Sequence, residues 1–125
     1  MDAGVFDELF VLEVANNHWG QVERGLKIVT AYNQIVRFNG VRAALKLQIR
    51  DVATFIHKEF LGRTDIRYIK KTVDTALTFE GYAALVDAIR KGPCLPMATP
   101  FDETSVDTCA KLGIPLLKIA SYDIN

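Results

Sequence analysis

The order of apolar and polar positions divides the chain into short apolar runs and longer blocks in which apolar residues recur every three or four positions. Runs rich in β-branched and aromatic residues predict strands, and the longer spacing predicts amphipathic helices. The predicted strands are residues 9–15, 42–49, 94–98 and 116–120. The predicted helices are residues 21–38, 64–76, 78–91 and 102–112. Because strands and helices alternate, with helices long enough for right-handed crossovers, the pattern predicts an α/β fold with a parallel sheet.

Local signals set several boundaries and buried faces in this pattern. Thr64 and Thr78 are predicted N-caps, and Gly92 followed by Pro93 ends the helix that Thr78 opens. Residues 51–63 are predicted to form a long connection. The residues predicted to be buried in the first and last helices are Val22, Leu26, Val29, Ile35, Val36, Val106, Cys109 and Leu112.

Polar side chains interrupt the apolar strands. Glu13 lies near the end of the first strand, Lys46 and Gln48 share one face of the second, and Lys118 lies in the fourth. A charged group in an apolar strand is costly unless it is paired or functional, and parallel sheets bind ligands at the carboxyl ends of their strands. The pattern therefore predicts a polar ligand site at that edge. An exposed edge position of the second strand is the alternative explanation for Lys46 and Gln48.

Composition and charge exclude several classes of protein. The chain has 125 residues, 50% of them hydrophobic and 24% charged, which suffices for one domain with a core. Fifteen basic residues balance fifteen acidic ones, so no nucleic acid or membrane surface is expected as a partner. No apolar run has the length of a membrane span, and the first residues lack basic side chains and a long apolar core, so no signal peptide is expected. Cys94 and Cys109 lack metal-site spacing and are expected to be reduced core residues of a cytoplasmic protein.

The stretch from Leu9 to Gly20 carries a resemblance to a known family. Its residues 13–20, Glu-Val-Ala-Asn-Asn-His-Trp-Gly, resemble the Glu-x-Gly-x-Asn-His-x-Gly signature that opens the sialic acid synthase family (N-acetylneuraminate synthases and relatives). The chain departs at Ala15, where the family usually has Gly, and this change affects loop geometry more than chemistry. Three further stretches follow in the family's order: Lys46-x-Gln48, Ala-Thr-Pro-Phe with Thr99, and Lys118-x-x-Ser121-x-Asp123.

The resemblance implies a barrel of the TIM type, of which only about the first four strands are present, since a complete barrel needs roughly 250 residues. Residues 1–125 are expected to be the N-terminal half of the catalytic barrel, with the second half and the family's antifreeze-like domain absent, as in a truncated or split product or a fragment. The implied enzyme condenses phosphoenolpyruvate with N-acetylmannosamine or a related amino sugar and releases phosphate. The chain alone is expected to be inactive, and to associate as a homo-oligomer or with a complementing half-barrel.

The resemblance also implies roles for individual residues. Glu13 is expected beside the reacting carbons as an acid, a base or an electrostatic stabiliser, Gln48 at the substrate, and Asp123 at sugar hydroxyls. The residues implied for phosphate are Lys46, Thr99, Lys118 and Ser121. The family uses a divalent metal, expected to be manganese, held by two histidines in the second half of the barrel, so no metal ligand is assigned in this chain. His57 is interpreted as a loop residue.

Other interpretations stay open at this point. Glu13 could be a structural carboxylate bonded to a neighbouring lysine, and Thr99 a turn residue before a helix. A desolvated strand lysine could also form a Schiff base, so Lys118 would suit a barrel aldolase. The non-enzymatic alternative is a half-barrel remnant without catalytic function.

Overall fold

The computed structural model describes residues 3–124, and its regular elements follow the predicted order. The strands are β1 (Leu9–Ala15), β2 (Arg42–Ile49), β3 (Leu95–Pro100) and β4 (Leu116–Leu117). The α-helices are α1 (Val22–Asn39), α2 (Val52–Phe55), α3 (Arg67–Asp74), α4 (Phe79–Arg90) and α5 (Glu103–Lys111). Short 3-10 helices lie at Ala3–Phe6, Lys58–Phe60 and Ser121–Asp123.

Within residues 3–124 the strands form one parallel sheet in the order β1-β2-β3-β4, which confirms the predicted α/β class. The register places Glu13 beside Lys46, and Lys46 beside Met97. β2 is a central strand, with a strand bonded on each side, so the alternative of an exposed edge strand is wrong. All four carboxyl ends therefore meet at one edge of the sheet.

The two faces of the sheet differ in chemistry. One face packs under α1 and α4 in a hydrophobic core, in which Leu45 and Leu47 of β2 meet Val29, Leu85 and Ile89. The opposite face carries a smaller apolar cluster built on Ala44, Met97 and Leu116. Alternate residues of a strand share a face, so Lys46 also lies on this second face, two residues closer than Ala44 to the carboxyl edge.

Both cysteines are buried and unpaired, as predicted. Burial raises the pKa of the Cys109 thiol to about 11, so this cysteine is a protonated core residue at neutral pH. No helix among the described residues is long and apolar enough to cross a membrane.

Two predicted boundaries are wrong. Residues 64–76 were predicted as one helix capped by Thr64, but α3 is only Arg67–Asp74 and follows Ile66 without a side-chain cap. The preceding residues form successive turns around Gly62, whose φ is 85°, so the helix starts later. The fourth strand was predicted over 116–120 but is assigned only at Leu116–Leu117.

The short β4 has a physical cause in its partner strand. The Lys118 N–H donates to the Ala98 carbonyl at 2.9 Å, and the next bond of a parallel ladder would come from the N–H of residue 100. That residue is Pro100, which has no N–H. The ladder between β3 and β4 therefore stops at Lys118.

Two residues predicted to be buried are instead exposed, Ile35 on α1 and Val106 on α5. These helices flank β1 and β4, the outer strands of the described sheet. Ile35 borders a pocket with Glu13 and Val14 of β1, and Val106 borders a pocket with Leu117 of β4. The prediction that these two side chains are buried is therefore wrong for the described structure.

Candidate active site

The carboxyl end of β1 has an unusual backbone that positions Glu13. The pairing with β2 shifts register between Glu13 and Ala15, and Ala15 has φ of 49°, in the left-handed region. The Ala15 N–H then donates to Glu13 Oε1 at 3.1 Å. Ala15 thus adopts the conformation for which Gly is the favoured residue, which explains the glycine in the family signature.

Glu13, Lys46 and Thr99 meet at the carboxyl edge of three adjacent strands. Lys46 Nζ lies 2.5 Å from Glu13 Oε2 and donates to Thr99 Oγ1 at 3.1 Å. The Lys46 side chain is only 7% exposed, whereas that of Glu13 is 43% exposed. A buried ammonium is thus held by one anionic and one neutral oxygen, while the carboxylate still faces solvent.

Gln48 lies one step farther along the same face of β2. Its Oε1 accepts a hydrogen bond from Asn16 Nδ2 at 3.2 Å, and its backbone carbonyl accepts one from the Tyr82 hydroxyl, also at 3.2 Å. Burial raises the pKa of Tyr82 to about 12, so the phenol stays protonated and remains a donor. These bonds fix the end of β2 from both faces of the sheet.

Lys118, Ser121 and Asp123 lie at the same edge of the sheet but are exposed. Met97 pairs with Leu116, and continuing this register by two residues puts Lys118 beside Thr99, on the face that carries Lys46. No hydrogen bond or ion pair among residues 3–124 uses the side chains of these three residues. The structure therefore joins Glu13, Lys46 and Thr99 in one bonded group, and Gln48 lies beside this group with its side chain bonded to Asn16. Lys118, Ser121 and Asp123 stay apart from both within residues 3–124.

The loop after β1 has a buried histidine at its centre. His18 is fully buried, and its Nδ1 accepts a hydrogen bond from the Gly20 N–H at 3.0 Å. Asn17 Nδ2 donates to the Val14 carbonyl at 3.1 Å. Burial lowers the pKa of His18, so this imidazole is neutral near pH 7. The signature residues Asn17 and His18 thus order the loop by bonding to backbone groups.

Gly20 packs closely against the C-terminal end of α3. A Cβ at Gly20 would lie 2.6 Å from the Asp74 carbonyl oxygen, and its φ is 71°. Only glycine allows both this close approach and this backbone conformation. The last glycine of the signature is therefore required by packing.

Arg50 is a residue near the site that the sequence interpretation missed. Its guanidinium carbon lies 3.9 Å from the centroid of the Phe101 ring and 5.2 Å from that of Phe55. Phe101 also stacks on Tyr122, with centroids 6.0 Å apart. The available sequence signal was the alternation of polar residues at 46, 48 and 50, which places a third polar residue directly after Lys46 and Gln48.

The donor set does not fit a metal ion. No group of three or more His, Cys, Asp or Glu side chains in the described part of the chain could hold one. The Nδ1 of His18 accepts from the Gly20 N–H, and its Nε2 is buried without a hydrogen-bond partner or a neighbouring ligand set in the described residues. His57 lies in an exposed loop, where its Nδ1 accepts from the Glu59 N–H.

The geometry defines a class: a parallel α/β sheet that presents a lysine, a carboxylate and a hydroxyl at its carboxyl edge. The sequence profile of the NeuB family matches residues 35–125, and the chain belongs to that family. No curated protein matches the chain.

Solved structures show the larger fold to which these four strands correspond. Spore coat polysaccharide biosynthesis protein E from Chromobacterium violaceum matches 94% of this chain with a TM-score of 0.88 and 38% identity, over 35% of its own length. N-acetylneuraminic acid (sialic acid) synthetase from Leptospira borgpetersenii matches 94% with a TM-score of 0.72 and 21% identity, over 37% of its length. The predicted fold class, a TIM-type barrel represented by four strands, is confirmed.

A third solved structure, the spore coat polysaccharide biosynthesis protein spsE from Bacillus subtilis, matches 94% of this chain with a TM-score of 0.66 and 23% identity. The match covers 30% of that protein. The chain thus spans about a third of the length of the structures that it matches.

Proposed function

We propose that this chain supplies the N-terminal half of the catalytic barrel of a sialic acid synthase-type enzyme, which condenses phosphoenolpyruvate with N-acetylmannosamine or a related amino sugar. The observation that carries the proposal is the buried Lys46 ammonium, bonded to both Glu13 and Thr99 at the carboxyl edge of the sheet. Membership of the NeuB family and the similarity to a sialic acid synthetase support the same reaction class.

Lys46 is suited to hold the phosphate of phosphoenolpyruvate. An ammonium has three N–H donors, and two of those on Lys46 meet Glu13 and Thr99, which leaves one for a phosphate oxygen. A charge-assisted hydrogen bond in a buried position is stronger than one at the surface. Thr99, whose Oγ1 already accepts from Lys46, has its own hydroxyl hydrogen to donate to the same phosphate.

Glu13 is suited to the proton transfers of the reaction. In the overall step the C3 carbon of phosphoenolpyruvate bonds to the aldehyde carbon of the open-chain sugar, water adds at C2, and phosphate leaves. The adding water must lose a proton and the sugar oxygen must gain one. The Glu13 carboxylate is partly exposed at the site, so it can exchange protons with bound reactants.

The remaining candidates complete the proposed site. Gln48 and its partner Asn16 offer amide groups to the sugar, and Asp123 offers a carboxylate to sugar hydroxyls. Lys118 and Ser121 add a cation and a hydroxyl for phosphate. Their exposed side chains need closure by residues outside this chain, from the rest of a complete barrel or from a second chain. The manganese site expected in the complete enzyme also lies outside the described donor set.

No observation favours the aldolase alternative. A Schiff-base lysine is activated by desolvation or by a neighbouring cation, and Lys118 is exposed in the described structure. Borohydride trapping with pyruvate is expected to give no adduct on Lys118.

The experiment that tests the proposal is phosphoenolpyruvate binding to the 125-residue chain, measured by calorimetry and by phosphorus NMR. Lys46→Met is expected to weaken binding by about tenfold or more, since a charged hydrogen bond is lost. Lys27→Met, which removes an exposed lysine of α1, is the control for net charge. Equal binding by Lys46→Met and the native chain would reject the phosphate role of Lys46.

A further inference from the structure

Arg50 directly follows β2 and extends the polar series of Lys46 and Gln48 beyond the end of the strand. Residues two apart along a strand are separated by about 6.6 Å, so Arg50 is about 13 Å from Lys46 in Cα position. Arg50 also borders a small pocket that is lined by Asn16 and Gln48. The cation thus lies at the rim of the site, on the outer side of the Gln48–Asn16 pair.

The Arg50 charge is not neutralised by any carboxylate in the described structure. Its Nε is buried without a hydrogen-bond partner, and no ion pair involves its guanidinium among residues 3–124. The nearby carboxylates have other partners. Asp102 accepts from the backbone N–H groups of Asp51 and Ser105 at 2.8 and 2.7 Å, and Asp51 accepts from Ala53 and Thr54.

Aromatic rings fix the position of this guanidinium without using its donors. The guanidinium carbon lies 3.9 Å from the centroid of the Phe101 ring and 5.2 Å from that of Phe55, which packs edge-on against Phe101. Ring contacts occupy the faces of a guanidinium, whereas its N–H groups lie at its edges. An arginine held in this way, whose donors have no partner among residues 3–124, can offer two parallel N–H groups to a bidentate oxyanion.

We infer that Arg50 binds an oxyanion, a phosphate or a carboxylate, carried by the acceptor sugar at the end away from the new carbon–carbon bond. The inference rests on the proposed function, because it takes Lys46 as the subsite for phosphoenolpyruvate and Gln48 as the subsite for the middle of the sugar. The order of Lys46 and Gln48 in β2 and Arg50 directly after it then gives an extended sugar three successive contacts. The spacing of about 13 Å separates the Arg50 subsite from the phosphate at Lys46.

The test compares acceptor sugars on the 125-residue chain by calorimetry. The probes are N-acetylmannosamine, its 6-phosphate and the corresponding 6-carboxylate, with the two anionic probes distinguishing phosphate from carboxylate. The native chain is expected to bind one of the anionic sugars about tenfold more tightly than the neutral sugar. Arg50→Gln is expected to remove this preference and to leave the affinity for the neutral sugar within about twofold of the native value. Arg50→Lys, which keeps the charge and loses the fork, is expected to keep part of the preference.

Two controls separate this inference from a structural role and from the proposed function. Arg37→Gln removes an exposed arginine in the last turn of α1 and is expected to keep the full preference. Lys46→Met is expected to weaken phosphoenolpyruvate binding by about tenfold or more and to keep the preference for the anionic sugar, so either proposal can fail alone. The inference would be overturned if the native chain bound all three sugars equally or bound none of them. It would also be overturned if Arg50→Gln lost affinity for every sugar equally.

Discussion

At the scale of single residues, the end of β1 has a strained backbone that positions the Glu13 carboxylate. Ala15 adopts φ of 49°, which costs an L-residue with a Cβ about 1 kcal/mol relative to glycine. This strained conformation occurs at the register shift between Glu13 and Ala15, where the Ala15 N–H donates to the Glu13 carboxylate. Alanine in place of the signature glycine at position 15 is therefore expected to lower stability without moving Glu13.

The first prediction follows from this strain. Ala15→Gly is expected to raise the free energy of unfolding by roughly 0.5–1 kcal/mol, because glycine adopts the left-handed conformation without a steric cost. Ala31→Gly, at an exposed position of α1, is the matched control and is expected to lower stability by about 1 kcal/mol. Urea denaturation followed by circular dichroism measures both. A loss of stability in Ala15→Gly would mean that the left-handed backbone carries no strain.

The second prediction concerns His18. Burial lowers its pKa in the folded state below the ordinary value of 6.5, so the unfolded chain binds the proton first as the pH falls. Above pH 6.5 the contribution of His18 to the free energy of unfolding is therefore expected to be constant. Below pH 6.5 this contribution is expected to decrease, by at most about 1.4 kcal/mol per pH unit.

The variant His18→Asn isolates this effect. The asparagine oxygen can accept the Gly20 N–H in place of Nδ1, but it does not titrate. The slope of stability between pH 5 and 6.5 is expected to flatten in His18→Asn and to stay unchanged in His57→Asn, which alters an exposed loop histidine. An identical slope in the native chain and in His18→Asn would show that His18 does not control the acid response.

At the scale of elements, local signals gave most helix boundaries correctly, with Thr64 as the exception. α1 was predicted over 21–38 and lies at Val22–Asn39, ending at Gly40 in the left-handed conformation. Thr78 caps α4 by accepting from the Gly81 N–H, and Asp102 caps α5 by accepting from the Ser105 N–H. Caps and terminal glycines act within one helical turn, so they can be identified without knowledge of the fold.

Of the two wrong boundaries, the late start of α3 follows from local turns around Gly62, whereas the end of β4 depends on a neighbour that is distant in sequence. β4 stops because Pro100 of β3 cannot donate to it, which required knowing that these two strands pair and in which register. The same limit applies to the site. That Glu13, Lys46 and Thr99 share one edge follows from parallel topology, but their contact distances depend on register, which the apolar pattern alone does not set. The role of Arg50 likewise depends on Phe101, a residue about fifty positions away.

At the scale of the whole molecule, the described sheet has two unpaired outer strands. β1 exposes Phe10 and Val11, and the segment at β4 exposes Leu117 and Ile119, the last with 68% of its surface in solvent. A groove of about 350 Å³ beside β4 is lined by Val106, Leu117 and Ile119. Unpaired parallel strands with apolar residues favour association with another sheet edge. In a closed barrel, a further strand would pair with the open edge of β4, and its helix would cover the adjoining groove.

The last prediction is that residues 1–125 associate through these outer strands when produced alone. Two copies could pair β4 of each with β1 of the other, which would give eight parallel strands and leave no open edge. Sedimentation is expected to show dimers or larger species whose fraction rises with concentration. Val11→Lys and Ile119→Lys place a charge on each outer strand and are expected to shift the chain toward monomer, whereas Thr30→Lys on an exposed position of α1 is expected to have no such effect. A native chain that sediments as a monomer and unfolds in one sharp transition would show that the four-stranded unit is stable with both edges open, and association would then play no part in completing the site.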